Sequence, residues 1–123
     1  MSSQVYRVLL VAALVFAVTM ALLPHPPHIP SDRLGDKFNH MVAFATLSVL
    51  AAKAYPKAGL LRIGERLSFI GALIEVIQAI PALGRDCDIR DWIADTFAIA
   101  VVLVIVAAGR HRGSTSSKDD ARA

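Results

Sequence analysis

The chain has 123 residues, of which 55% are hydrophobic and 19% are charged, and its formal net charge is +3. Soluble domains hold about 45–50% apolar and about 25% charged residues, so the length predicts one domain and the composition favours a membrane protein over a soluble one. The basic residues form no stripe with interleaved aromatic side chains, which argues against nucleic acid as a partner. A single cysteine, Cys87, excludes an intramolecular disulfide.

Four apolar segments follow one another along the chain, and we predict that each forms a transmembrane helix. The first, residues 5–23, would span about 28 Å as a helix, close to the ~30 Å hydrocarbon core. This run is longer than the roughly 7–15 residues of a signal-peptide core. No A-x-A cleavage site precedes Pro24, so we interpret the segment as a retained anchor. The others are residues 38–55, 67–80 and 92–108, and the last shows no polar face. The segment 67–80 is short, and its extension through Leu60, Leu61 and Ile63 stays open.

The connections between these segments are short and polar. Residues 24–36 hold four prolines, which exclude a helix interior there. Residues 56–66 and 81–91 form the other two connections. The sequence therefore predicts an all-α membrane protein in which residues 1–109 form a four-helix transmembrane domain. Residues 110–123 form a basic, polar tail that we predict to be disordered and cytoplasmic.

The distribution of basic residues predicts the orientation of the helices. With both termini in the cytoplasm, nine of the thirteen Lys and Arg residues lie on the inner side of the membrane and four on the outer side. Cytoplasmic loops of membrane proteins carry an excess of Lys and Arg. We therefore predict cytoplasmic N- and C-termini, with the first and third connections outside.

In this orientation the polar residues of the helices gather near the outer membrane face. At the outer ends of the second, third and fourth predicted helices, polar residues recur at spacings of three or four, so those of one helix share a face. Glu75 lies in an apolar segment, and a charge at the membrane centre costs about 2.5–3.5 kcal/mol, so it needs polar partners. We predict an outward pocket formed by Asp36, Lys37, His40, Glu75, Gln78, Arg85, Asp88, Asp91 and Asp95.

Two motifs among these residues resemble the VanZ-like family of small bacterial membrane proteins. "DKFNH" matches the family's D-K-x-x-H, and "EVIQAIPALGRDCDIRDWIAD" matches its E-x-x-Q, Pro, Arg and D-x-x-D pattern. Two positions depart from the pattern, because Asp95 stands where the family usually has Asn and Ala98 where it often has Gly. The resemblance covers about residues 5–108. It implies a multi-pass protein of the bacterial plasma (inner) membrane and a link to low-level teicoplanin resistance.

Two functional hypotheses follow for the predicted pocket. In the first, it is non-catalytic and binds a cell-surface ligand, such as a lipid-linked cell-wall precursor or a glycopeptide. In the second, the protein is an intramembrane enzyme acting on a phospholipid or polyprenyl phosphate, with His40 and Glu75 as acid and base. Lys37 and Arg85 would then stabilise negative charge. No G-x-S-x-G, P-loop or H-E-x-x-H motif occurs, which favours the first hypothesis. A purely structural role for the polar residues stays open beside both.

The expected partner is a membrane lipid, either anionic or polyprenyl-linked. The carboxylates Asp88, Asp91 and Asp95 would suit Mg²⁺ or Ca²⁺, but Arg85 and Arg90 lie close enough in sequence to neutralise them. We therefore expect neither a metal nor a cofactor. The sequence does not determine the oligomeric state.

Overall fold

The computed structural model describes residues 2–23, 36–81 and 88–122, with the backbone alone at 36, 37 and 114–122. Four helices occupy these ranges: α1 (Ser3–Leu22), α2 (Asp36–Ala54), α3 (Leu60–Gln78) and α4 (Ile89–Arg122). The described residues contain no β-strand. The prediction of an all-α fold with four helices is confirmed.

Local sequence signals explain where several helices begin and end. The side chain of Ser2 caps α1 by accepting the backbone N–H of Val5 at 3.4 Å. α2 ends two residues before Pro56, because proline has no N–H with which to continue a helix. Gly59 is the N-cap of α3. The connection between α2 and α3 is therefore only five residues long, which makes the two helices antiparallel neighbours.

Side-chain hydrogen bonds define how the helices run relative to one another. Arg7 near the start of α1 donates to the carbonyl of Ala54 at the end of α2, at 3.1 Å. Gln78 at the end of α3 donates to the carbonyl of Ala21 near the end of α1, at 2.8 Å. The four helices thus run alternately up and down. The most extensive helix contact is between α2 and α4, with α1 against α2 and α3 against α4.

An apolar core lies between the helices. It contains one residue of α1 and eight residues of the other three helices: Ala21, Phe44, Leu47, Ala51, Ile63, Leu67, Ile74, Ile99 and Leu103. Small residues let α3 approach its neighbours closely. A Cβ atom added at Gly71 would lie 3.3 Å from the ring of Phe44, and one at Gly64 would lie 3.1 Å from Leu103. Close approach through small residues is typical of helices that pack within membranes.

The outer surface of the bundle is strongly apolar. On α1, Val8 is 68% exposed and Phe16 is 67% exposed, although water-facing helix surfaces are normally polar. By length and composition, Ser3–Leu22 and Ile89–Gly113 are able to cross a membrane, and Phe38–Ala54 is a shorter apolar helix. An N-terminal signal sequence or a buried core helix meets the same criterion. That all four helices span a membrane therefore stays a prediction.

Two helices extend beyond the apolar segments of the sequence. α3 begins at Leu60 and so includes the extension that the sequence leaves open, because its charged residues lower the hydropathy of its first turns without preventing a helix. α4 continues to Arg122, through the tail for which the composition predicts disorder. Extending an existing helix costs far less than nucleating a new one, and no proline follows Ile89 to stop it.

Candidate functional site

The described polar residues gather at the end of the bundle where α2 and α4 begin and α3 ends. Burial separates them from ordinary surface groups, because Glu75, Gln78, Asp91 and Asp95 are all at least nine-tenths buried. His40 has a side chain only 11% exposed. We call His40, Glu75, Gln78, Asp88, Asp91 and Asp95 the polar cluster.

His40 and Asp95 face each other across the contact between α2 and α4. The Nδ1 atom of His40 lies 3.7 Å from the Oδ2 atom of Asp95, whose side chain is 2% exposed. That distance is too long for a hydrogen bond. The other oxygen, Oδ1, is buried and accepts no hydrogen bond from the described residues. Asp95 is thus a deeply buried carboxylate with little direct compensation from the described residues.

Glu75 links the end of α3 to the segment before α4. Its Oε2 atom accepts the backbone N–H of Asp88 at 3.1 Å. Its Oε1 atom is buried and has no partner within the described part of the chain. In the same part of the chain, no Lys or Arg side chain forms an ion pair with Glu75 or Asp95. One oxygen of the Glu75 carboxylate therefore has a structural partner, and the other has none among the described residues.

Asp88 and Gln78 have structural roles. Asp88 caps α4. Its Oδ1 atom accepts the backbone N–H of Arg90 at 2.9 Å, and its backbone carbonyl accepts the backbone N–H of Asp91, also at 2.9 Å. Gln78 is 1% exposed and donates through Nε2 to the Ala21 carbonyl, which the end of α1 would otherwise leave without a donor. The buried Oε1 atom of Gln78 has no partner among the described residues.

The most compact part of the polar cluster is the triad of His40, Glu75 and Asp95. One nitrogen or oxygen atom of each side chain lies within 4.8 Å of one such atom of the other two. The triad combines one imidazole with two carboxylates and presents mainly hydrogen-bond acceptors. Such a site suits a ligand that brings N–H or O–H donors, an ammonium group or a metal ion.

The structure brings together six of the nine predicted site residues. The side chains of Asp36 and Lys37, and all of Arg85, lie outside the described residues. Of the predicted residues that are described, His40, Glu75 and Asp95 form the triad, and buried Asp91 lies one helical turn from Asp95 along α4.

An apolar groove between α3 and α4 was not predicted from the sequence. It has a volume of about 690 Å³ and is lined by Gly64, Ser68 and Ala72 on α3 and by Thr96, Ala100 and Leu103 on α4, among others. Ser68 and Thr96 share a hydrogen bond at 2.9 Å, and the indole of Trp92 donates to the Ser68 carbonyl at 3.0 Å. The four-residue spacing of Gly64, Ser68 and Ala72 is the signal that identifies this face.

The groove leads towards the polar cluster. It reaches Ala72, three residues before Glu75, and Trp92, three residues before Asp95. Apolar and polar binding surfaces are therefore adjacent on the same pair of helices. Comparison of the chain with protein-family models, with curated proteins and with solved structures gives no significant match. The resemblance to VanZ-like proteins accordingly rests on the two motifs.

Proposed function

We propose that the chain is a VanZ-like protein of the bacterial plasma membrane, with four transmembrane helices and both termini in the cytoplasm. Two features support the membrane assignment: the exposed apolar side chains of α1 and the two helices long enough to cross a bilayer. The VanZ-like assignment is supported by the position of the motif residues. His40 of the first motif and Glu75 of the second belong to one buried triad, although they lie far apart in sequence.

The orientation is testable with the single cysteine. Cys87 lies between α3 and α4, on the side predicted to face outwards. A membrane-impermeant maleimide should label Cys87 in intact cells from which the outer barrier has been removed. The matched control is Cys87→Ala combined with Ala58→Cys, which moves the thiol to the connection between α2 and α3 and should abolish labelling until the cells are lysed. The reverse pattern would contradict the proposed orientation.

The polar cluster is proposed to bind a cell-surface ligand at the outer face of the membrane. The observation that carries this proposal is the pair of buried carboxylate oxygens, Oε1 of Glu75 and Oδ1 of Asp95, that lack donors in the described chain. Leaving buried acceptors without donors costs about 1–3 kcal/mol each, and more when they are charged. A ligand with hydroxyl, amide or ammonium groups would offset that cost.

The apolar groove favours a lipid-linked precursor over a water-soluble ligand. A polar head at the triad and a hydrocarbon chain along α3 and α4 would use two adjacent surfaces of the molecule. The groove extends from Leu60 to Ala72 on α3, a helical length of about 18 Å. The favoured ligand is therefore a lipid-linked envelope precursor. A glycopeptide such as teicoplanin, which is also rich in donors, is the other candidate for a cell-surface ligand.

Mass spectrometry of lipids that co-purify with the protein tests this function. Wild-type protein should be enriched in one lipid, and Glu75→Gln should lose the enrichment because it removes the negative charge and replaces one acceptor oxygen by an NH2 donor. Ala100→Leu should lose it as well, because the larger side chain fills the groove without altering the triad. Lys57→Gln, an exposed change in another connection, is the control and should retain the lipid. Equal, unselective lipid in all four preparations, with no binding of teicoplanin to the wild type, would refute the proposal.

An acid–base enzyme is the second candidate function. The proximity of His40 to the buried carboxylate of Asp95 favours it, because a carboxylate can orient an imidazole and stabilise its charged form. The six residues of the polar cluster carry no hydroxyl group that could act as a nucleophile. Buried Ser48, which is not part of the cluster, donates its Oγ–H to the Phe44 carbonyl at 2.7 Å. Water would then be the nucleophile. Incubation of the purified protein with bacterial phospholipid and polyprenyl phosphate, followed by mass spectrometry, decides the question, and an unchanged lipid pool would eliminate the enzyme.

A further inference from the structure

We propose that His40, Glu75 and Asp95 bind one divalent first-row transition metal ion, with Zn²⁺ as the reference ion. This inference goes beyond the proposed function because it requires no envelope ligand. It also reverses the expectation from sequence that no metal binds. That expectation assumed neutralisation of the acids by Arg85 and Arg90. Arg90 is exposed and pairs with neither triad carboxylate, and Arg85 lies outside the described residues.

The geometry of the triad is close to that of a metal site. Its three ligand atoms lie within 4.8 Å of one another, and His40 Nδ1 is 3.7 Å from Asp95 Oδ2. Two atoms bound to one Zn²⁺ at about 2.0–2.1 Å in a tetrahedral arrangement lie ~3.3 Å apart. The observed separations exceed this by at most about 1.5 Å, which rotations of the two carboxylate side chains can close.

The ligand set indicates the class of metal. One imidazole nitrogen and two carboxylate oxygens suit Zn²⁺, Mn²⁺ or Fe²⁺ better than Ca²⁺ or Mg²⁺, which prefer oxygen alone. The described cluster contains no thiolate that would select a softer ion. Three protein ligands also leave at least one coordination position for water or another group, as in catalytic rather than structural zinc sites.

Burial and charge provide the independent observation. Glu75 is 6% exposed and Asp95 is 2% exposed, and each has a buried oxygen without a donor among the described residues. Asp91, 8% exposed, adds a third buried carboxylate to the same end of the bundle. Buried carboxylates are stable when they are paired or coordinate a metal. A divalent ion at the triad would neutralise two of them and occupy the oxygens that have no donor.

Protonation is the other way to neutralise a buried carboxyl group, and metal analysis separates the two. The protein would be purified in detergent with a tag that lacks histidine, because a polyhistidine tag binds the same ions. Elemental analysis after equilibration with Zn²⁺ and removal of excess ion should give one equivalent per chain. Replacement by Co²⁺ should give visible absorption bands of a nitrogen- and oxygen-ligated ion.

Matched variants assign the ion to the triad. His40→Ala and Asp95→Asn should each weaken Zn²⁺ binding by at least ~10–100-fold, the loss seen when even an outer partner of a metal site is removed. Asp88→Asn is the control, because asparagine also caps helices and Asp88 is an acid of the same cluster outside the triad. It should bind like the wild type.

Two results would overturn the proposal. One is less than a tenth of an equivalent of Zn²⁺ in the wild type, with no Co²⁺ absorption bands. The other is full metal content in His40→Ala and Asp95→Asn. A variant that fails to fold leaves the Co²⁺ spectrum of the wild type as the deciding measurement. Lipid retention is measured on the same preparations, so that selective lipid without metal would refute the metal site alone, and metal without selective lipid would refute the proposed ligand alone.

Discussion

The two ends of the helix bundle handle buried polar groups in opposite ways. At the end where α2 finishes, Arg7 and Arg110 donate to the carbonyls of Ala54 and Ala52, at 3.1 and 2.8 Å. We call this region the arginine end. At the polar cluster, carboxylate oxygens of Glu75 and Asp95 are buried without donors in the described chain. One end supplies donors to helix carbonyls that lack them, whereas the other retains acceptors that lack donors.

Aromatic contacts reinforce the arginine end. The guanidinium of Arg7 lies 4.8 Å from the centre of the Tyr55 ring, and the ammonium of Lys53 lies 5.4 Å from that of Tyr6. These reciprocal cation–π contacts join α1 to α2. Positive charge at the C-terminus of α2 also interacts favourably with the helix dipole. The comparison teaches that the arginine end uses its donors within the fold, whereas the polar cluster keeps buried acceptors that have no donor among the described residues.

The largest expected effect comes from breaking the arginine end. Arg7→Met combined with Arg110→Met keeps apolar bulk but leaves two helix carbonyls without their charged donors. Hydrogen bonds to charged groups contribute about 1.5–3 kcal/mol each, so the pair should lower the free energy of unfolding by about 3–6 kcal/mol. Unfolding in mixed micelles with increasing denaturing detergent measures this. Arg112→Met, a change at an exposed residue of the same helix, is the control, and an unchanged unfolding curve for the double variant would contradict the assignment.

A smaller effect of opposite sign is expected at the polar cluster. With a chelator present, Asp95→Asn should raise the free energy of unfolding by about 1–3 kcal/mol, because it removes a buried charge that lacks a full set of partners. Adding Zn²⁺ should stabilise the wild type and leave the variant unchanged, because a ligand stabilises only the folded state that binds it. Thermal unfolding by circular dichroism measures both. If Asp95→Asn lowers the free energy of unfolding in the presence of chelator, the protein itself already offsets the cost of burying the Asp95 carboxylate.

The smallest effect is expected at Gln78, whose side-chain nitrogen has a hydrogen-bond partner and whose side-chain oxygen has none among the described residues. Gln78→Leu removes a hydrogen bond to Ala21 but also removes a buried oxygen without a donor. The two changes partly cancel, so the free energy of unfolding should fall by only about 1 kcal/mol. Lipid retention by this variant should stay near that of the wild type, since Gln78 ties α3 to α1. Loss of the selected lipid with unchanged stability would move Gln78 from a structural to a binding role.

Much of the fold was predictable from the sequence because it depends on local properties. Apolar runs placed the four helices, and proline and glycine marked the short connection before α3. The three- and four-residue spacing within each motif put its polar residues on one helix face. The boundaries were less predictable. The charged residues Arg62, Glu65 and Arg66 reduce the apolar character of α3 without reducing its ability to form a helix, so the sequence left its extension to Leu60 open.

The sequence by itself determined which end of α2, α3 and α4 carries these polar residues, because the order of residues along the chain sets their position in each helix. Only the tertiary structure decided which of these residues contact one another. His40 meets Asp95, and Gln78 meets a carbonyl 57 residues away, because the packing of α2 against α4 and of α3 beside α1 sets those distances. No local pattern encodes such contacts. The same packing leaves Glu75 and Asp95 each with a buried oxygen that has no hydrogen-bond donor among the described residues.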